Sequence, residues 1–274
     1  MKLFFTLLIM VFGLSFSGSA QSKLTHLWTA DEKLPTPESV LYVSSSDELL
    51  VSLIDGDGSE KDGNGGVAKL NLDGTLKDAV WVEGLNAPKG MALHGELLYI
   101  ADIDEVVIIE YPTGKTKNVV GVPGAVFLND VAAGPDGKIY VSDTRNGEIY
   151  VLEDEQPSLY MEDVPNVNGL RVIDGTLYAL AGRELWKIGP TKDKEVITAD
   201  IELDADGLEP VGDGSFLVTC WPGQIYHITA EGQVSKLLDV QGKMNTADLG
   251  YNPKERTLYI PTFLKNSVVA YRLD

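Results

Sequence analysis

The chain repeats itself at intervals of about forty residues, and a strand-rich repeat of that length limits the fold to a few closed or stacked architectures. Six segments share one grammar: DELLVSLI (47–54), GELLYIAD (95–102), GKIYVSD (137–143), GTLYALAG (175–182), GSFLVTCW (214–221) and RTLYIPTF (256–263). Leu50, Leu98, Ile139, Leu177, Phe216 and Leu258 hold equivalent places, spaced by 48, 41, 38, 39 and 42 residues. The longer first interval contains the acidic loop DGDGSEKDGNGG, residues 55–66. A further strand follows most units, clearest in GEIYVLE (147–153), GQIYHIT (223–229) and NSVVAYRL (266–273).

Side chains within these segments alternate with period two, as Ile139 and Val141 do against Tyr140 and Ser142, and beyond residue 20 no ten-residue window carries a helical apolar stripe. Asp or Asn precedes Gly eleven times, including Asp136-Gly137, Asn146-Gly147, Asp174-Gly175 and Asp213-Gly214, pairs that suit tight hairpins. The sequence therefore predicts an all-β fold, a six-bladed β-propeller forming one domain over residues 21–274. The sixth unit ends without a fourth strand, and KLTHLW (23–28) precedes the first unit without a blade of its own. That segment is expected to complete the last blade and remove its open edge.

Residues 1–20 read as a secretory leader: Lys2, an apolar run from Leu3 to Phe16 that is too short to span a bilayer, then Gly18 and Ala20 ahead of Gln21. An uncleaved anchor is the alternative. Cys220 is the only cysteine, so no internal disulfide can form, and its FLVTCW setting points to a buried strand position. A periplasmic or secreted bacterial protein fits both features. With 41 acidic against 22 basic side chains the formal charge is −19, a surface that repels nucleic acids and anionic lipid headgroups. No phosphate-cradling Gly-rich loop and no GxSxG elbow is present, which disfavours nucleotide and serine-hydrolase chemistry.

In a propeller, the residue just before each innermost strand can face the central channel. Those positions are Glu38, Lys89, Asn129, Asn168, Asp206 and Asp248, spaced by 51, 40, 39, 38 and 42 residues. Five of the six offer oxygen donors, a set suited to a hard divalent cation, whereas His26, His94 and His227 all fall elsewhere. Calcium is the expected ion, with magnesium, manganese or zinc open. Turn chemistry is the competing account of Asn168-Gly169 and Asp206-Gly207, although it does not explain Glu38. The loop Asp55-Gly56-Asp57-Gly58 begins like a calcium-binding EF-hand but has Glu60 and Gly66 where that motif needs Gly and Glu, so an acidic loop beside the channel mouth, able to act as a lid, is the better reading. Tyr99, Tyr140, Tyr178, Tyr226 and Tyr259 recur in register and are read as core packing.

The six-unit pattern, with Pro37-Glu38, Asn129-Asp130, Asn168-Gly169-Leu170 and Asp206-Gly207-Leu208 at successive blade starts, resembles the regucalcin/gluconolactonase (senescence marker protein, luciferin-regenerating-enzyme-like) family over essentially the whole mature chain. The resemblance implies a metal-dependent lactonase. By position it implies Glu38, Asn168 and Asp206 as metal ligands, Asn129 as a substrate-side or additional ligand, and Asp206 as general base with Asp248 as second choice. Lys89 is then a candidate for substrate binding and oxyanion stabilisation, and a small neutral lactone or sugar-derived ligand is the expected partner. Ser39-Val40 and Lys89 depart from the family pattern and leave the substrate open. A non-catalytic NHL-like propeller that binds a carbohydrate, peptide or protein is the alternative function.

Overall fold

The computed structural model describes residues 23–30 and 34–274; the expected leader lies outside the described residues. Six four-stranded antiparallel sheets follow one another in sequence. Their innermost strands are Pro37–Val43, Pro88–His94, Leu128–Ala133, Val167–Ile173, Leu208–Pro210 and Gly250–Asn252. Among the described residues, the only helical element is a single 3-10 turn, Phe263–Lys265. The expectation of an all-β six-bladed propeller holds.

Strand alternation gives each blade two buried faces. In the second strand of blade 1, Leu49 and Val51 enter the core shared with blade 6, while Leu50 between them enters the core shared with blade 2. Ile139 and Val141 likewise face blade 2, and Tyr140 packs toward blade 4. Six apolar cores result, one between each pair of neighbouring blades. The five in-register tyrosines all sit in or against these cores, and Cys220 is fully buried within one of them.

The ring is closed by its own N-terminal strand. Leu24–Thr29 is the outermost strand of blade 6 and pairs antiparallel with Val268–Leu273, from Leu24 opposite Leu273 to Thr29 opposite Val269. Asp274 N donates to Lys23 O at 2.9 Å, and Ala30 N to Val268 O at 2.8 Å. Trp28 lies beside the ring of Tyr259, with centroids 5.9 Å apart, and its Nε1 donates to Leu72 O of blade 1 at 3.0 Å. One aromatic side chain thus ties the seam on both sides. Removing residues 23–29 should cost about 3 kcal/mol or more from the loss of Trp28 packing and the ladder, a fall in melting temperature of about 6–12 °C. Thermal unfolding followed by circular dichroism checks this, and an unchanged midpoint would show the strand to be dispensable.

Candidate metal-binding and active site

The axial residues owe their position to a repeated irregularity. In blades 1 to 4 the innermost strand slips in register just after its first residue: between Pro37 and Val40, Pro88 and Met91, Leu128 and Val131, and Val167 and Leu170. The two residues in each slip leave the ladder, and bulges of this kind re-aim side chains. Glu38, Lys89, Asn129 and Asn168 are the first members of these pairs. Buried hydroxyls accept N–H groups where the inner strands of blades 1, 3 and 5 begin: Ser39 N donates to Ser52 Oγ, Asp130 N to Ser142 Oγ and Gly207 N to Thr219 Oγ1, each at 2.9 Å. Neighbouring blades also bond directly at the axis, through Gly169 N to Asp206 O at 2.8 Å and Asp248 N to Glu38 O at 3.0 Å.

Crowding, not turn geometry, explains the glycines that follow Asn168 and Asp206. Neither has a left-handed φ; a Cβ on Gly169 would lie 2.6 Å from Asp206 O, and one on Gly207 would lie 2.7 Å from Leu249 N. These glycines let adjacent backbones meet at the centre of the ring. The turn-chemistry account of the two Asx-Gly pairs therefore fails.

Glu38, Lys89, Asn129, Asn168 and Asp206 all line one cavity of about 580 Å³ at an end of the channel. Asp248 does not line it. The parallel bridge between Ser39 and Asp248, and the bond from Ser39 Oγ to Asp248 Oδ2 at 2.6 Å, hold its carboxylate within the packed axis. There it joins a charged group absent from the sequence reading: Arg171 donates to Glu209 Oε1 at 2.8 Å and approaches Asp130 Oδ2 at 3.5 Å, and Asp130 Oδ2 also accepts from Leu170 N at 2.6 Å. Arg171 and Glu209 line a smaller cavity with Tyr42 and Tyr251.

At the floor of the larger cavity Glu38 and Asp206 are 5% and 4% exposed, and Glu38 Oε2 is buried without a hydrogen-bond partner. Asn168 Nδ2 donates to Asp206 Oδ1 at 2.7 Å and Asn129 Nδ2 to Thr144 Oγ1 at 3.0 Å, so each carboxamide points its N–H group at a neighbour. Two carboxylates and two amide oxygens, with no nitrogen or sulfur donor, match a hard cation and not a zinc site. Among the described residues no three His, Cys, Asp or Glu side chains form a metal-binding group, so the two asparagines are needed to complete any such set. Desolvation by burial, then the charges of Asp206 and Asp248, hold the Glu38 carboxyl well above its usual range. Burial and the charge of Asp248 push Asp206 up to about 8. Burial and Asp130 do the same to Asp248, also to about 8.

Lys89 is 2% exposed, and its Nζ donates to Ala87 O at 2.9 Å and to Gly58 O at 3.0 Å. Burial lowers its pKa, against the opposing charge of Glu38. The bond to Gly58 draws the 55–66 loop onto the cavity, and Arg145 Nη2 fixes it further by donating to Ser59 Oγ at 2.7 Å. Within that loop Asp57 and Asp62 accept hydrogen bonds from Ser59 and Asn64, as turn-forming carboxylates do.

Asp206 and Asp248 bind protons more tightly in the folded chain than in the unfolded one. Their stabilising contribution is thus complete below about pH 4 and is lost as the pH rises through about 8. In chelator, the melting temperature should fall by roughly 5–10 °C between pH 5 and pH 8.5. Asp206→Asn should flatten that slope, and added calcium should remove most of it. Differential scanning calorimetry at the two pH values checks all three.

No protein-family model and no curated protein matches the sequence. Solved structures do match in shape. A gluconolactonase from Xanthomonas campestris superposes with a TM-score of 0.68 at 17% identity, over 92% of this chain and 90% of that one. A streptogramin B lyase reaches a TM-score of 0.69 at 11% identity, over 92% and 98%. A catalytically inactive virginiamycin B lyase from Staphylococcus aureus with quinupristin reaches 0.66 at 12%, over 93% and 100%. The chain is thus a six-bladed β-propeller, in a fold shared with gluconolactonases and lyases.

Proposed function

We propose that this protein is an exported, metal-dependent hydrolase that opens a lactone or small ester at the cavity floor. The observation that carries the reading is the convergence of Glu38 and Asp206, two buried carboxylates, with Asn129 and Asn168 in one cavity. Two acids enclosed this way are costly unless protonated or matched by a cation. Glu38, Asn168 and Asp206 would hold the ion, with Asn129 as a further ligand or a substrate contact. Calcium fits the oxygen-only set best. When bound, such an ion polarises an ester carbonyl and offsets the charge of its carboxylate ligands.

The chain's own residues supply the remainder. Water adds to the acyl carbon while the ring C–O bond breaks. Asp206 accepts a proton from that water and returns it to the departing alkoxide, leaving a hydroxy acid. Two of the three Lys89 N–H groups are engaged, so the third can donate to the developing oxyanion. Asn129, where it is not an ion ligand, orients the substrate.

The inactive form of virginiamycin B lyase is a histidine-to-alanine variant, whereas here His26, His94 and His227 all lie off the cavity lining. That contrast favours hydrolysis over a lyase reaction of that kind. The leader-like composition of residues 1–20 supports an activity in the periplasm or outside the cell.

Calorimetric titration of calcium into chelator-stripped protein should show one saturating site that Asp206→Ala loses. Hydrolysis of a lactone panel should stop in chelator and fall by roughly a hundredfold to ten-thousandfold in the same variant, with circular dichroism unchanged. Absence of calcium binding, or turnover indifferent to chelator, would leave a non-catalytic binding propeller as the better account.

A further inference from the structure

Above the polar floor, the cavity wall is largely apolar, formed by Ile54, Phe127, Leu203, Trp221, Pro222 and Phe263. Trp221 and Phe263 meet edge to face with ring centroids 5.5 Å apart, and Phe263 packs on the small core of Ile54, Ala87 and Ile103. A continuous apolar surface thus runs from Ile54 to Trp221, which remains 41% exposed. The polar groups at this level are few and partly engaged with protein partners. Thr144 Oγ1 donates to Val167 O at 2.7 Å and accepts from Asn129, while Asn166 Nδ2 donates to Asp204 Oδ2 at 3.2 Å.

Phe263 is held in place against its backbone preference. Its φ is 46°, in the left-handed region that bulky side chains rarely adopt. The surrounding loop enforces this: Asn266 N donates to Phe263 O at 3.0 Å, Ser267 N to Thr262 Oγ1 at 3.0 Å, and Thr36 N to Asn266 Oδ1 at 2.9 Å. Strain over-determined by its surroundings clusters where a side chain must be aimed, and here it directs an aromatic ring to the cavity.

We infer that the site takes a lactone or ester carrying an apolar substituent, an alkyl or aryl tail that lies along Ile54, Phe263 and Trp221, and that polyhydroxylated sugar lactones are poor ligands. The hydroxyls of a sugar lactone would lose water against the stretch from Ile54 through Phe263 to Trp221, which offers them no side-chain partners. The inference rests on the lactone-opening reading of the floor, but tail binding can be measured apart from turnover.

The test is a homologous series of γ-alkyl butyrolactones, methyl to heptyl, beside glucono-δ-lactone, with calcium present. The corresponding lactams, which resist hydrolysis, report binding through tryptophan fluorescence, with Trp221→Phe identifying the responding indole. KM and lactam Kd should fall about fourfold per added methylene until the wall is covered, with kcat nearly constant and gluconolactone the poorer substrate. Phe263→Asn removes the ring and suits a left-handed φ. It should flatten the series with circular dichroism unchanged. Lactams that bind with this chain-length dependence but lactones that are not opened would sustain the apolar-tail site and overturn the hydrolase. Binding indifferent to chain length, or a preference for gluconolactone, would overturn the inference whatever the turnover.

Discussion

Six sheets share one axis, and the space where their inner strands meet decides which residues can stand there. Gly169 and Gly207 are required because a Cβ would strike the next blade, while each register slip turns the residue before the contact toward the cavity. Close approach and functional display are two results of one geometry. Ser52, Ser142 and Thr219 make it tolerable by accepting the N–H groups of Ser39, Asp130 and Gly207, since such groups are costly when left unpaired in the interior.

Charge on the axis is divided between layers. Asp130 and Glu209 share Arg171, so most of the acid there is met by guanidinium and backbone N–H groups. Glu38 and Asp206 have no such partner beyond Asn168 and the already engaged Lys89. The unmatched negative charge therefore lies at the cavity floor, and within the packed axis Asp248 leaves one oxygen without a partner. Desolvation makes that imbalance a sink for protons or a cation.

Much of this was legible in the sequence, because symmetry writes itself as spacing. The equivalence of Leu50, Leu98, Ile139, Leu177, Phe216 and Leu258 predicted the blades; the unpaired KLTHLW segment predicted the closing strand; and the positions ahead of each inner strand predicted five cavity-lining residues. Asp248 occupies the sixth such position but is drawn away by Ser39, a contact between residues 209 positions apart that no local pattern encodes. Arg171 and Glu209 stand on inner strands without counterparts in the other units. Phe127, Trp221 and Phe263 lie outside the innermost strands that carry the repeated axial pattern, so a reading built on that repeat passes over the walls that shape the ligand. The left-handed φ of Phe263, a backbone property with no compositional trace, was likewise out of reach.

The seam of the ring has a consequence for how the molecule comes into being. Ser39 bonds Asp248, and Glu38 O accepts from Asp248 N, across the same junction that Leu24–Thr29 closes from outside. Glu38 on the floor thus stands on the first blade with its backbone tied to the last, and that junction is secured only when Val268–Leu273 has found its partner strand Leu24–Thr29. A chain without the sixth blade can form interior blades but leaves Glu38 without the neighbour that anchors its backbone. Closure of the ring therefore couples the two termini of the described fold to the shape of the cavity, although neither terminal strand lines it.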